Sequence, residues 1–268
     1  PPAADTAAQP RPPGSAGVRG RVWLLARHSD GCRWVQQAMQ GAQSDIERVS
    51  LAAELRGHIL EASRCPNANH VLQKCITTTP PRALEFVIEE LTATSVRQVA
   101  RHKYGCRVVQ RLLERCPPEQ VRPIVNAVLG DVTGMSVHQY GTYVVQKILA
   151  SGSLRDRAYI QQAVLGDLLF YGTAVNGCAV ISAIMDGLTL EERQALCERV
   201  LEEPGLPAAM ACRSQGATLV ARALDTLGRR GHGRVAAMIT TVADATIAAR
   251  YGYIVAECAG RLLQHDGT

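Results

Sequence analysis

Aromatic side chains make up only 4% of the 268 residues, with two Phe and two Trp among them. That is a thin supply for one thick core, though adequate for stacked thin helices. Long apolar runs are missing too: no stretch of about 18 or more apolar residues marks a membrane-spanning helix. No signal-peptide pattern opens the chain. None of the nine cysteines sits in a CxxC pair, and no Cys/His cluster has zinc-ligand spacing. They read as reduced thiols packed between helices of an intracellular protein. Strand signals are absent, as are a phosphate-binding glycine loop and a nucleophile motif. Glu89-Glu90 and Glu191-Glu192 read as exposed helix carboxylates that nothing pairs for acid–base work. We expect no enzyme, no metal and no cofactor.

What the chain does contain is a repeat. Seven segments line up: DGCRWVQQAM, NANHVLQKCI, YGCRVVQRLL, YGTYVVQKIL, NGCAVISAIM, QGATLVARAL and YGYIVAECAG. Their second residues are Gly31, Ala68, Gly105, Gly141, Gly177, Gly216 and Gly252, separated by 37, 37, 36, 36, 39 and 36 residues. A period that steady indicates a solenoid.

Apolar residues fall three, four, seven and eight positions past each of these anchors. The second copy gives Val71, Leu72, Cys75 and Ile76, and the fifth gives Val180, Ile181, Ile184 and Met185. One helix cannot bury such a face alone, so neighbouring copies must stack. The seventh copy weakens to Val255, Ala256, Ala259 and Gly260. Between the copies lie further helices, one in TATSVRQVARH and one that Pro117-Pro118-Glu119 opens and Gly130 stops. The expectation is an all-α chain of three-helix repeats over residues 21–268, behind a disordered Pro/Ala/Gly-rich tail at 1–20.

Positions one, two and five past each anchor are expected off the buried face, with one and five on the same side a turn apart. The first four copies place Cys32, Arg33, Gln36; Asn69, His70, Gln73; Cys106, Arg107, Gln110; and Thr142, Tyr143, Gln146 there. Amides both donate and accept, which suits the edge of a base. Arg, His and Tyr are flat groups that stack on one. A lone Gln is most often a solvated helix residue; Gln at one phase in four successive copies argues against that. The net charge of +5 and pI near 8.8 permit an anionic partner without demanding one.

YGCRVVQRLLERC, HQYGTYVVQKIL and NANHVLQKCI resemble the signature helices of Pumilio (PUF) repeats, a resemblance that covers roughly residues 22–260. It implies a right-handed superhelical solenoid of about seven three-helix repeats, forming a crescent. Its concave face would bind single-stranded RNA, antiparallel, with one base per repeat. The family's code, carried over, makes Cys32 with Gln36 and Cys106 with Gln110 adenine readers, beside the stackers Arg33 and Arg107. Asn69 with Gln73 and stacker His70 becomes a uracil reader; Thr142 with Gln146 and Tyr143 fits adenine or uracil. Repeats four to one then give 5′-(A/U)AUA-3′.

Full members usually carry eight repeats, against seven here. Copies five to seven have lost the amide-plus-stacker sets: Cys178, Ala179, Ser182; Ala217, Thr218, Ala221; Tyr253, Ile254, Glu257. The resemblance implies a cytoplasmic monomer on messenger-RNA 3′ untranslated regions, acting in post-transcriptional regulation, with protein effectors as further partners and no membrane. The rival readings are a helical protein-interaction scaffold and a sequence-tolerant binder of structured RNA. His28, His102 and His138, each three residues before an anchor, are expected to have a structural role near the helix start. The basic run GRRGHGR at 228–234 reads as a solvated connection.

Overall fold

The computed structural model describes residues 15–228 and 233–265, and among these there are helices and turns but no strand. The chain divides into two compact units, residues up to Ile124 and residues from Val125 onward. The first contains α1 (Ser15–Val18), α2 (Val22–Ala26), α3 (Ser29–Gly41), α4 (Asp45–Ala53), α5 (Ile59–Arg64) and α6 (Ala68–Thr78). A 3₁₀ turn at Pro81–Leu84 leads to α7 (Glu85–Thr94), α8 (Val96–Ala100) and α9 (Gly105–Arg115), and the division falls within α10 (Arg122–Leu129). The second unit continues with α11 (Val132–Val137), α12 (Gly141–Ser151), α13 (Leu154–Leu165), α14 (Leu168–Thr173) and α15 (Gly177–Asp186). Then come α16 (Leu190–Glu202), α17 (Leu206–Ala211), α18 (Ser214–Gly228), α19 (Gly233–Thr246) and α20 (Gly252–His265).

The seven anchors open or sit in α3, α6, α9, α12, α15, α18 and α20, the signature helices of the repeat. Within the first unit α3 packs on α6 and α6 on α9; within the second, α12 packs on α15, α15 on α18 and α18 on α20. The apolar positions face these seams. Val71, Leu72, Cys75, Ile76, Val108, Val109 and Leu112 are all wholly buried. Each large aliphatic among them contributes about 1.5–3 kcal/mol by leaving water. The seventh repeat keeps Val255 and Ala259 buried while Ala256 and Gly260 are exposed, and the place of its short helix is taken by the last turn of α19, which runs on to Thr246.

Six of the seven anchors are glycine, and at those six the preceding helix comes too close for anything larger; Ala68 of the second repeat is the exception. A Cβ on Gly105 would lie 2.3 Å from the Val99 carbonyl oxygen, and one on Gly216 would lie 2.1 Å from that of Met210. The same carbonyl, six residues back, crowds Gly31, Gly141, Gly177 and Gly252. Close approach, not a left-handed φ, sets the residue.

Two devices tie the repeats together. The Gly20 and Val22 N–H groups donate to the Glu54 carboxylate at 2.8 and 2.9 Å. One repeat on, those of Gly57 and Ile59 donate to Glu90 at 2.8 and 3.2 Å. A carboxylate from the third helix thus satisfies the open N–H groups that start the short one. Across repeats, the Asn67 amide donates to the Arg27 carbonyl and that of Asn176 to the Val137 carbonyl, each at 2.9 Å.

Several expectations need amending. Glu90 is half-buried and caps α5, and Glu192 completes a capping box with Thr189 at the start of α16. Neither is an idle surface carboxylate. The helix expected from Pro118 begins at Arg122, after turns at 118–121. Pro123 explains the delay: second in the helix, its missing N–H costs nothing, whereas a start four residues earlier would place it where an i to i−4 bond is required. Of the segment read as a tail, residues 1–14 lie outside the described residues; Ser15–Val18 is a helical turn, and Val18 is buried. The basic run at 228–234 falls largely on residues 229–232, also outside the described residues.

Candidate nucleic-acid interface

The expected reader side chains share one geometry in all four copies. In α3 the Gln36 Nε2 donates to the Cys32 carbonyl at 3.0 Å, and in α9 Gln110 Nε2 donates to the Cys106 carbonyl at 3.0 Å. In α6 Gln73 Nε2 donates to the Asn69 side-chain oxygen at 2.9 Å, and in α12 Gln146 Nε2 donates to the Thr142 hydroxyl at 3.2 Å. Each Gln is half-exposed. One N–H is spent on the residue a turn back, which fixes the rotamer. The Oε1 lone pairs and the second N–H remain for a ligand.

Beside each Gln stands an exposed flat group: Arg33, His70, Arg107 and Tyr143. None of the four has an ion pair among the described residues that would draw it aside. In the first unit the stacking of α3, α6 and α9 sets the first three Gln–flat pairs in a row. In the second unit Gln146 and Tyr143 carry the same arrangement on α12.

Position one behaves otherwise. Cys32, Asn69, Cys106 and Thr142 are 5%, 0%, 3% and 3% exposed, so they are not off the buried face. The short helix packs over the start of the signature helix and covers them. The Cys32 thiol donates to the Ser29 carbonyl at 3.1 Å, and Cys106 to that of Lys103 at 3.6 Å. Burial pushes both thiols up from their ordinary value, against the lowering effect of the adjacent Arg33 and Arg107. They stay neutral and form an apolar floor under the Gln. Asn69 spends both amide hydrogens on the Cys65 and Pro66 carbonyls, at 2.8 and 2.9 Å, and its oxygen on Gln73. In this arrangement it orients Gln73.

The histidines before the anchors have a visible task. His102 Nδ1 accepts from the N–H groups of Tyr104 and Gly105 at 3.3 and 3.4 Å. His138 Nδ1 does the same for Tyr140 and Gly141 at 3.1 and 3.3 Å. They satisfy donors at the start of α9 and α12, in the place a capping residue takes. His28, before α3, makes no such cap bond.

In the fifth to seventh repeats the pattern has gone. Ala179 and Ala221 are half-exposed, Ala217 is buried, and Glu257 pairs with Arg261 at 3.2 Å. Ser182 accepts at 3.0 Å from Arg222, a residue of the next repeat that the repeat pattern does not single out. All nine cysteines are unpaired, and among the described residues no His, Cys, Asp and Glu come together as a metal site. No described helix is long and apolar enough to cross a membrane.

Fold and site define a helical-repeat protein that holds one fixed amide and one exposed flat group on each of its first four repeats. The model of the Pumilio-family RNA binding repeat matches residues 21–56, 58–92, 95–129 and 131–165, just over half of the chain. The chain belongs to the Pumilio family. Among its relatives, Fem-3 mRNA-binding factor 2 of Caenorhabditis elegans is 34% identical over 91 residues, 31% of this chain and 14% of that protein. Pumilio homology domain family member 4 of Saccharomyces cerevisiae is 28% identical over 93 residues, 35% of this chain and 10% of that protein. The match thus spans a seventh or less of these relatives. PUF-8 in complex with PBE-RNA superposes with a TM-score of 0.78 at 21% identity, over 92% of this chain and 72% of that one. The Puf4 RNA binding domain, bound to an HO endonuclease 3′ UTR recognition sequence, gives 0.76 at 20% identity, over 91% and 78%. This structural likeness is one of fold, and it reaches past the four matched repeats.

Proposed function

We propose that the chain binds single-stranded RNA along its signature helices, one base per repeat over the first four. Gln36, Gln73, Gln110 and Gln146 read base edges, and Arg33, His70, Arg107 and Tyr143 stack. The observation that carries this reading is the fourfold recurrence of a Gln tied back by one N–H, with its oxygen open, beside an exposed flat side chain. Buried Cys32 and Cys106 shape the adenine sites and Asn69 sets Gln73 for uracil; Thr142 with Gln146 takes adenine or uracil. The element is 5′-(A/U)AUA-3′. Family membership and the messenger-RNA binding named for the worm relative support a post-transcriptional role in the cytoplasm. That role needs no catalysis, and protein effectors would supply its outcome.

Selection from a random single-stranded RNA pool tests it, run on the wild type and on Arg107→Ala/Gln110→Ala. Enrichment of a short AU-rich element that the variant stops reading at one base is the expected result. Retention of RNA with no enriched element would leave a backbone binder, and no retention at all would leave a protein scaffold.

A further inference from the structure

One recess of the second unit gathers positive charge and no negative. It has a volume of about 400 Å³, and Asn176, Arg213, Ser214, Gln215, Arg250 and Tyr251 stand in its wall; no carboxylate does. Arg213 comes from the sixth repeat and Arg250 from the seventh. Neither guanidinium has an ion pair or a side-chain hydrogen bond among the described residues; Arg250 lies over the Tyr251 ring, 5.3 Å from its centre. Two cations that face one space without a counter-ion repel each other.

The start of α18 lacks an acceptor at the same place. In the third and fourth repeats His102 and His138 accept the N–H groups of the anchor and of the residue before it. In the sixth repeat Arg213 holds that position, and a guanidinium only donates. The N–H groups of Gln215 and of the buried Gly216 therefore have no acceptor among the described residues. Between Arg213 and these two stands Ser214, the first residue of the 15-residue α18. It is exposed, and its hydroxyl makes no hydrogen bond among the described residues.

We propose that Ser214 is a phosphorylation site, its phosphate held between Arg213 and Arg250 over the start of α18. A serine kinase transfers the γ-phosphoryl group of a nucleoside triphosphate to Ser214 Oγ; the hydroxyl loses its proton and the nucleoside diphosphate leaves. The product carries about −1.5 to −2 charges and three strong acceptor oxygens at pH 7. Those oxygens match two guanidinium forks and the two open N–H groups, and the charge suits a helix N-terminus. One modification thus neutralises the recess, caps α18 and ties the sixth repeat to the seventh. It does not depend on the RNA reading of the first four repeats.

The test begins with the full chain carrying phosphoserine at 214, titrated by ³¹P NMR. The second ionisation of a free phosphoserine falls near pH ~6. Between two guanidiniums it is expected about one unit lower or more, and back near its free value in Arg213→Ala/Arg250→Ala. Arg213→Lys/Arg250→Lys, which keeps the charges and loses the forks, should retain part of the shift. Hydrogen exchange at Gln215 and Gly216 should slow on phosphorylation. A phosphate that titrates alike in all three proteins, or unchanged exchange at those two amides, overturns the proposed cradle. Mass spectrometry of the chain taken from the cells that make it, under phosphatase inhibition, should find phosphate on Ser214; its absence overturns the modification. If Arg213→Ala/Arg250→Ala without phosphate weakens every RNA alike and flattens the salt dependence, the pair serves the RNA backbone and the proposal falls.

Discussion

The first four repeats and the last three are built alike and equipped differently. Both stretches keep crowded anchor glycines, with Ala68 the exception, and both bury the residues three and seven past the anchor, save the half-buried Trp34 of the first repeat. Only the first four carry the Gln and its flat neighbour, and only they match the family's repeat model, whereas the fold likeness runs over 92% of the chain. Two sets of constraints are therefore separable here. Stacking needs the glycine and the apolar seam, and tolerates almost anything on the polar side. Reading needs the polar side, and adds little to stacking. On the function proposed above, a repeat can stop reading without ceasing to fold.

The sharpest way to break that comparison is to strip one reader from each stretch. Arg107→Ala/Gln110→Ala removes an edge contact and a stacking surface, so RNA affinity is expected to fall by about 2–6 kcal/mol. Unfolding free energy should hardly change, since both side chains lie outside the buried seam. Ile254→Ala/Glu257→Ala, at the same phase of the seventh repeat, should leave affinity where it was. Fluorescence anisotropy with a labelled AU-rich RNA measures both, and an equal loss in the two variants would erase the distinction.

The converse change attacks what the stretches share. Gly105→Ala and Gly216→Ala each force a Cβ against a backbone carbonyl closer than 2.5 Å. Each should destabilise by about 1–3 kcal/mol, with no difference between a reading and a non-reading repeat. Urea unfolding checks this. A large cost at Gly105 with none at Gly216 would mean that the second stretch is not held by the same contact.

Why some of this was legible in the sequence, and some not, follows from range. The anchors and apolar positions announce themselves through a period near 36 residues, and the reader pairs through a four-residue spacing within one helix. Burial at position one does not, because it depends on how a neighbouring helix crosses. Asn69 looks like a ligand-facing amide until Cys65 and Pro66 are seen to take its hydrogens. The Glu54 and Glu90 caps join groups 31 to 34 residues apart, and nothing local marks them. Arg222 escapes for the same reason, since its partners Ser182 and Asp186 belong to the preceding repeat. The start of α10 was misread at Pro117–Glu119, although Pro123, which fits only within a first turn, marks a later one.

The two stretches also close their helices differently, and a smaller effect exposes it. In the first unit Glu54 and Glu90 cap a short helix from a distance. In the second, the short helix α14 closes locally, Asp167 accepting from the Phe170 N–H at 3.1 Å. Removing the distant carboxylate, as Glu90→Ala, should cost about 0.5–2 kcal/mol, because it leaves two N–H groups at the start of α5 without their acceptor. Hydrogen exchange should quicken at Gly57 and Ile59 and stay unchanged in α14. Faster exchange throughout would show the carboxylate to be a general support rather than a local cap.

The smallest expected effect separates the middle repeats from the later ones by pH. Histidine accepts the first N–H groups of α9 and α12, but Ala174 and Arg213 stand at that place before α15 and α18. Burial, helped by the positive charges of Arg64 and Lys103, holds His102 below its ordinary value of 6.5. The folded form therefore prefers the neutral ring, whose Nδ1 is an acceptor. Below pH 6.5 the unfolded chain takes up the proton first. The contribution is complete above that point and declines as pH falls through the lowered value. The urea midpoint of the wild type should drop over this window, and that of His102→Asn, whose side chain accepts without titrating, should drop less. The Glu192 carboxylate, held below its ordinary 4.5 by the Thr189 hydrogen bonds, acts in a separate, more acidic range. Parallel midpoints for the two proteins between these ranges would mean that His102 does not cap α9 through its neutral ring.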